Sequence, residues 1–485
     1  MTRPTDDPTD VLARLALMRR GDVPVHGGRT LAYVYASGLA EVDQVGRDAV
    51  AAFAGSNGLD PTAFPSLLQM ENDLVAFAAR LLDAPGTAVG SVTSGGTESV
   101  LLAVQTARDA RPEITSPSMV LPSSAHPAFH TAAHYFGVRA VVVPCGPDYR
   151  ADPAAMAAAI DDSTVLVVAS APSYAHGVVD PVTEIAAAAA ARGVRCHVDA
   201  CIGGWVLPYA ARLGRAVPPW TFAVDDVTSI SVDLHKYGYA PKGSSLLLHR
   251  TSALRKPQFF AYADWPGYTM LNSTMQSTRS GGPIAGAWAV VQTLGDEGYE
   301  KLALETFEAT ERIADGVENI AGLRLVARPD STLVALTTDE TCDPFTLCDE
   351  MAVREWYVQP QLSYGDQPAN LHLSVSAATL AHVDDFLTSL ADSVRVARAA
   401  GPVQVDPDVA AYVAGLDPAS ISDDDFDGLL AAAGLLGGGG GNEGGGLALP
   451  SRMAEVNALL DVASPALREA VMVAFLDRLA RPSTE

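Results

Sequence analysis

Apolar residues in the first half of the chain form short unbroken runs that alternate with stretches of helical periodicity. Strands that are apolar throughout and separated by helices indicate a mostly parallel sheet covered on both faces. The runs stand at 118–122, 140–144, 164–170, 194–199, 228–232 and 245–249. Helices are predicted between and before them at 64–82, 97–110, 126–137, 152–160 and 181–192. The pattern therefore predicts an α/β domain.

The pattern changes after residue 283. A long helix from 284 to about 317 precedes strands at 323–326, 331–337 and 370–374 and helices at 344–354 and 378–399, which predict a smaller α+β unit. The run GGGGGNEGGG within 436–446 predicts a flexible loop inside a helical tail. The predicted domains are an N-terminal segment (1–60, a helix followed by irregular chain), a large domain (61–283), a small domain (284–400) and the tail (401–485).

Charge and cysteine content limit the partners and the compartment. The formal net charge of −25 over 485 residues argues against nucleic acid and anionic membranes as partners. Five cysteines without paired spacing predict neither a disulfide framework nor a metal site, and the expected compartment is the cytoplasm. The sequence shows no signal peptide and no apolar run long enough for a transmembrane segment.

Two features of the large domain suggest contacts to a phosphorylated, planar ligand. The first is the turn SVTSGGTES at 91–99, where Gly95, Gly96 and Thr97 open a helix and offer backbone amides and a hydroxyl to an anion. A plain turn or a Ser/Thr helix cap explains this segment nearly as well. The second is His126 at a helix start, whose imidazole can stack on a flat ring, although a lone histidine is more often structural.

Two further polar residues follow buried strands. Asp199 ends the strand HVDA, and a buried carboxylate is costly unless it has a partner such as a protonated pyridine nitrogen. Lys236 directly follows the strand at 228–232, where burial is expected to lower its pKa and supply the free amine that a Schiff base requires. A phosphate turn, a ring stacker, a strand-end acid and a strand-end lysine in this order favour a cofactor site.

These residues lie in motifs that resemble the pyridoxal 5′-phosphate (PLP) enzymes of fold type I, in the group II decarboxylase branch. Within that branch the chain is most similar to the sphingosine-1-phosphate lyases. The resemblance covers about 55–285 and rests on TSGGTES (93–99), HPAFHTAAHYFG (126–137), APSYAHGVVDPV (171–182), HVDACIGGWVLP (197–208) and SISVDLHKYGYAPKGSS (229–245). It implies a PLP-dependent transferase-like large domain with a mostly parallel seven-stranded sheet.

The resemblance also implies roles for individual residues. Lys236 is expected to hold PLP as a Schiff base, Asp199 to contact the pyridine nitrogen and His126 to stack on the ring. The cofactor phosphate is expected near Gly95, Gly96 and Thr97, with His235 beside the cofactor. The substrate side is assigned to Tyr174, Lys242 and Arg279, and a cation such as Lys242 suits a phosphate monoester.

The same resemblance predicts the reaction class. The leading hypothesis is a carbon–carbon lyase that cleaves a phosphorylated amino alcohol to an aldehyde and phosphoethanolamine, and the alternative is an L-amino-acid decarboxylase. Leu234 replaces the hydroxyl residue usual before the HK pair, and the segment 265–270 departs from the family pattern at the substrate pocket. A homodimer is expected, with loops at 55–65 and 265–282 as the segments that reach across it.

Overall fold

A seven-stranded sheet forms the centre of the computed structural model, which describes residues 8–432 and 452–480. Six strands lie within one residue of the predicted runs. The exception is β1, whose Gly and Ser residues at an edge position interrupt the apolar pattern. The strands are Val89–Thr93 (β1), Ser118–Pro122 (β2), Arg139–Val143 (β3), Thr164–Ser170 (β4), Arg195–Asp199 (β5), Ser229–Val232 (β6) and Ser245–His249 (β7).

The strand order β1-β7-β6-β5-β4-β2-β3 confirms the predicted mostly parallel sheet. Strands β2 to β6 pair in parallel, and β7 runs antiparallel to both β6 and β1. All strands except β7 therefore end at the same edge. Separate apolar clusters, one around Trp205 and one around Phe129, bury the two faces. The fold class is the fold type I α/β architecture.

Helices pack on the faces of the sheet, and the N-terminal segment is itself partly helical. They are Pro8–Met18 (α1), Ala40–Ala52 (α2), Pro65–Leu81 (α3), Gly96–Asp109 (α4), Ala128–Phe136 (α5), Pro153–Ala159 (α6), Val182–Ala190 (α7), Leu207–Arg212 (α8), Ser252–Arg255 (α9) and Gly281–Glu318 (α10). Helix α2 was not predicted: irregular chain was expected around 27–28 and 55–58, and no element was assigned between them. The helix forms because it packs on α10, where Gly46 has no side chain to separate it from Val290 and Pro241.

The smaller sheet follows α10, which is interrupted at Gly295 by a positive φ of 58°. Its antiparallel order is β10-β11-β13-β12. The edge strand β12 was missed from sequence because it is the polar segment Gln-Pro-Gln, and the hairpin β8–β9 was missed because its short strands are largely exposed. The elements are Phe260–Tyr262 (β8), Met270–Asn272 (β9), Leu323–Leu325 (β10), Leu333–Thr338 (β11), Pro344–Val353 (α11), Gln359–Gln361 (β12), Asn370–Ser374 (β13) and Val383–Ala400 (α12), the last preceded by a 3-10 turn at Ala377–His382.

The described residues of the C-terminal part form four further α-helices. They are Pro407–Gly415 (α13), Asp423–Ala432 (α14), Ala454–Val462 (α15) and Pro465–Leu479 (α16). The glycine-rich segment 436–446 lies outside the described residues. Across 8–432 and 452–480, no helix combines the length and the apolar character needed to cross a membrane.

Candidate functional site

A cavity of about 340 Å³ opens at the edge where the parallel strands end. Ligand pockets typically measure about 300–1,000 Å³. A larger cavity of about 680 Å³ lies near His26 and His382, and none of the predicted site residues lines it. The smaller cavity contains eight of the predicted residues: Gly95, Gly96, Thr97, His126, Tyr174, Asp199, His235 and Lys236. The sheet therefore brings together residues that are separated by up to 141 positions in sequence.

The amine of Lys236 forms an ion pair with a carboxylate to which sequence reasoning assigned no role. Its Nζ lies 3.0 Å from Oδ2 of Asp233, and the two side chains are 20% and 2% exposed. Burial by itself lowers the pKa of Lys236, but the negative charge of Asp233, with smaller contributions from neighbouring groups, raises it above its ordinary value. The expectation that burial leaves this amine uncharged is therefore wrong for the cofactor-free site. The sequence signal for this pair was the position of Asp233 three residues before Lys236.

Asp199 ends β5 and is held by the neighbouring strand and turn. Its Oδ1 accepts hydrogen bonds from the Cys201 amide at 3.0 Å and the Ser231 hydroxyl at 3.4 Å. Nε2 of His197 lies 3.2 Å from the same hydroxyl. Burial lowers the pKa of His197 to about 4, so this imidazole is neutral at physiological pH. The carboxylate is thus oriented by backbone and uncharged groups, and its charge is available to a ligand.

The turn before α4 approaches the base of the cavity. Helix α4 begins at Gly96, and the first N–H groups of a helix have no partner within it, so they can bind an anion. A Cβ atom on Gly96 would lie only 2.8 Å from Oδ2 of Asp233 and 2.9 Å from Sγ of Cys201. The carboxylate of Glu98, missed from sequence, accepts from the Ser94 amide at 2.6 Å and the Met275 amide at 2.9 Å. Glu98 therefore ties this turn to the segment after β9.

Two aromatic side chains form another wall. His126 precedes α5, and its Nδ1 accepts from the Ala128 amide at 3.2 Å. The ring has solvent access from the cavity, but surrounding protein atoms lower its pKa, chiefly by burial. Tyr174 meets His126 edge-on, with ring centroids 6.4 Å apart, and burial raises the pKa of its phenol.

Lys242 lies next to the cavity rather than on its wall. Its Nζ donates to the carbonyl of His235 at 3.2 Å and of Tyr33 at 3.0 Å, and it stands 5.1 Å from the centre of the Tyr35 ring. Burial, aided by the positive charge of Lys236, lowers the pKa of Lys242 to about 8. His235 itself lines the cavity, and its Nδ1 accepts from the Ser244 amide at 3.2 Å.

Arg279 is not brought to the cavity wall. Its guanidinium forms a bidentate pair with Glu71 at 3.0 and 2.9 Å and also donates to the carbonyls of Val92 and Gly58. Both members of the pair are mostly buried. In this arrangement Arg279 joins α3 to β1 and the loop at 58, and its assignment to the substrate side stays a prediction.

The donor set fits the cofactor that the motifs imply. The amides opening α4 suit a phosphate, Asp199 suits a ring nitrogen and Lys236 offers an amine to an aldehyde. Because Gly96 has no side chain, the space that a Cβ atom would occupy at this turn stays open. Leu234, which replaces a hydroxyl residue, is fully buried and offers no contact to a phosphate. The cavity can therefore hold PLP with one polar contact fewer than the family pattern.

Comparison with known families agrees with this geometry. The pyridoxal-dependent decarboxylase conserved domain matches residues 32–338. A second model, described as a C-terminal putative HTH (helix-turn-helix) domain of pyridoxal-dependent enzymes, matches residues 407–478. The cofactor is accordingly pyridoxal 5′-phosphate.

Similarity to individual proteins shows to which branch of the decarboxylase family the chain is most similar. Sphingosine-1-phosphate lyase from Arabidopsis thaliana is 38% identical over 405 residues, 81% of this chain and 73% of the relative. The enzyme of the same name from Oryza sativa is 39% identical over 72% of this chain and 66% of the relative. A solved sphingosine-1-phosphate lyase from Burkholderia pseudomallei superposes with a TM-score of 0.77 at 33% identity, covering 82% of this chain and 93% of that one. The chain therefore belongs to the pyridoxal-dependent decarboxylase family, in the group that contains the sphingosine-1-phosphate lyases.

Proposed function

We propose that this PLP-dependent enzyme is a carbon–carbon lyase that cleaves a phosphorylated long-chain amino alcohol to an aldehyde and phosphoethanolamine. The observation that carries the proposal is the convergence of Lys236, Asp199, His126 and the start of α4 on one cavity. The names of the relatives supply the substrate class.

Each group has a distinct task in this proposal. Lys236 would hold the cofactor through its amine. Asp199, oriented by Cys201 and Ser231, keeps the pyridine nitrogen protonated, and His126 packs on the ring. PLP, when bound, supplies the electron sink for the Cα–Cβ bond that breaks.

The substrate phosphate is assigned to the side of the cavity near Lys242. This cation stands beside His235, and its depressed pKa reflects a site that gains from a nearby anion. Tyr174 forms the adjoining wall. Arg279 is paired with Glu71, so direct contact of Arg279 with the substrate would require that this ion pair opens.

Amino-acid decarboxylation is the alternative within the same family. The two reactions differ in the bond held perpendicular to the cofactor ring, and their products separate them. Purified holoenzyme would be assayed with a phosphorylated sphingoid base and with a panel of L-amino acids. The proposal requires long-chain aldehyde and phosphoethanolamine in equal amounts. Carbon dioxide release from an amino acid, without aldehyde from the phosphorylated base, would overturn it.

The enzyme is further proposed to act as a cytoplasmic homodimer. The hairpin β8–β9 and its flanks expose Phe260, Trp265, Tyr268 and Leu271, each more than 40% accessible, and such an apolar patch suits a protein interface. Glu98 connects this segment to the turn that opens α4. Light scattering on the holoenzyme should give twice the 50.5 kDa chain mass, and a monomeric active enzyme would contradict this assembly.

A further inference from the structure

Tyr174, on the wall of the cavity, is clamped by two residues of the smaller sheet. Its hydroxyl donates to Oε1 of Gln359 at 2.7 Å. The ring of His372 stacks on it at 4.3 Å with an interplanar angle of 27°, and Nε2 of His372 donates to the Tyr174 carbonyl at 2.7 Å. Gln359 and His372 are cross-strand partners in β12 and β13. The position of Tyr174 therefore depends on the position of β12.

Strand β12 lies at the edge of its sheet, so β13 is the one strand of the sheet that is hydrogen-bonded to it. The segment that follows it is held from outside by α15. Oδ1 of Asp461 accepts from the amide of Ser363 at 2.6 Å and from its hydroxyl at 2.8 Å. The same segment ends at Gln367, whose Oε1 lies 2.9 Å from Nε2 of the buried His176, two residues after Tyr174.

The helices α13–α16 are here called the C-terminal module. This module is attached to α11 by hydrogen bonds and an ion pair at the start of α15. The buried carboxylate of Asp349 in α11 accepts from the amides of Met453 at 2.8 Å and Ala454 at 3.0 Å, which caps α15 from another element. Arg452 pairs with the buried Glu350 at 2.8 Å. Helix α15 is thus attached to α11 at its start and to the β12 segment through Asp461 at its end.

A nucleic acid is disfavoured as the partner of this module despite the helix-turn-helix name of the matching model. Acidic residues outnumber basic ones by eleven to three over 407–478. All three arginines already have partners within the protein: Arg452 pairs with Glu350, Arg468 donates to the carbonyls of Asp461 and Ala463, and Arg478 pairs with Asp427. Phosphate backbones require clustered cations, and the described helices offer none that is uncommitted.

We propose that the C-terminal module positions the substrate wall of the cavity through β12. Asp461 holds Ser363, the strand carries Gln359, and Gln359 with His372 holds Tyr174. These are positioning residues for Tyr174. The kinetic consequence rests on the proposed lyase function, because it requires Tyr174 to face the substrate, whereas the structural coupling does not.

Hydrogen–deuterium exchange of the holoenzyme tests the coupling without substrate. Asp461→Ala removes the acceptor, and Glu469→Ala, on the exposed face of α16, is the matched control. Asp461→Ala should raise amide exchange between about 2-fold and 30-fold both in 359–367 and in 171–178, with the control unchanged. Faster exchange confined to 359–367, or equal changes in the control, would overturn the proposal. If Asp461→Ala disturbs the module itself, Ser363→Ala removes one of the two hydrogen bonds from the other side and should give a smaller increase of exchange in the same two segments.

A double-mutant cycle then tests the consequence for catalysis. Gln359→Leu and Asp461→Ala should each raise KM for the phosphorylated base by at least about 2-fold while cofactor content and absorbance stay normal. In a Tyr174→Phe background, which lacks the bonded hydroxyl, Gln359→Leu should have no further effect. Equal effects in both backgrounds would overturn the route through Tyr174. Absence of lyase turnover in the wild type would refute the proposed function and leave the exchange result as the test of the coupling.

Discussion

The amine of Lys236 lies 3.0 Å from the carboxylate of Asp233, which is almost fully buried one turn earlier in the chain. Lys236 and His235, together with a smaller contribution from the Ser245 hydroxyl, offset the effect of burial and hold the pKa of Asp233 below its usual value. The pKa of Lys236 is raised in turn, chiefly because the charge of Asp233 outweighs burial. The amine of Lys236 therefore carries a positive charge beside Asp233.

Replacing Asp233 with Asn should destabilise the cofactor-free enzyme. Removing one partner of a buried ion pair leaves an uncompensated charge and typically costs about 3–5 kcal/mol. The depressed pKa of Asp233 makes its contribution complete above its ordinary value of 3.8, and it is lost as the pH falls below that value. The raised pKa of Lys236 makes its contribution complete below 10.5, and it is lost as the pH rises further.

The measurement is denaturant unfolding of apoenzyme between pH 3 and pH 9, with the exposed Asp366→Asn as control. The difference between wild type and Asp233→Asn should be constant in the neutral range and shrink at the acid end. A difference that persists undiminished at the lowest pH would contradict the ion-pair explanation.

Lys236→Ala should abolish covalent cofactor binding. Without the amine, borohydride treatment should leave no cofactor-bearing peptide, and turnover should fall by about a thousand-fold or more. Lys301→Ala serves as control, since it removes an exposed amine on α10 that does not line the cavity. A Lys236→Ala protein that is still yellow and still labelled after reduction would refute the assignment.

Gly96→Ala should weaken cofactor binding, because its Cβ would lie 2.8 Å from Asp233 and 2.9 Å from Cys201. Both neighbours are buried and cannot move freely. The matched variant is Gly95→Ala, whose Cβ would meet only the His235 ring at 3.4 Å, at an extended φ of 163° that any residue adopts. Titration of apoenzyme with PLP should give at least about a ten-fold higher Kd for Gly96→Ala than for Gly95→Ala. Equal affinities would contradict the close approach.

Substrate binding should depend on the charge of Lys242. Its pKa of about 8 means that the side chain is cationic below this pH and loses its charge above it. KM for a phosphorylated substrate should therefore rise as the pH passes from 7 to 9. Lys242→Arg should remove this rise because a guanidinium stays charged, and Lys242→Met should show a high KM throughout. An identical pH profile in Lys242→Met and wild type would exclude this role.

Local pattern was sufficient for much of the fold. Strands such as β4, which is apolar and buried over its whole length, are visible in sequence because both faces of a parallel sheet are covered. Helix α2 and strand β12 were not visible, since α2 depends on contact with α10 and β12 is a short polar segment, Gln-Pro-Gln. Domain boundaries stay predictions.

The sequence by itself identified the residues that are proposed to carry the chemistry. Lys236, Asp199, His126 and the glycine turn before α4 stand in motifs at strand and helix ends, where backbone direction alone predicts that they meet. Tertiary structure decided what surrounds them, since a pKa or an orientation depends on atoms distant in sequence. It placed Asp233 against Lys236, engaged Arg279 with Glu71 and held Tyr174 from β12. The strand-end lysine is thus a property of the motif, and its charge before the cofactor binds is a property of the fold.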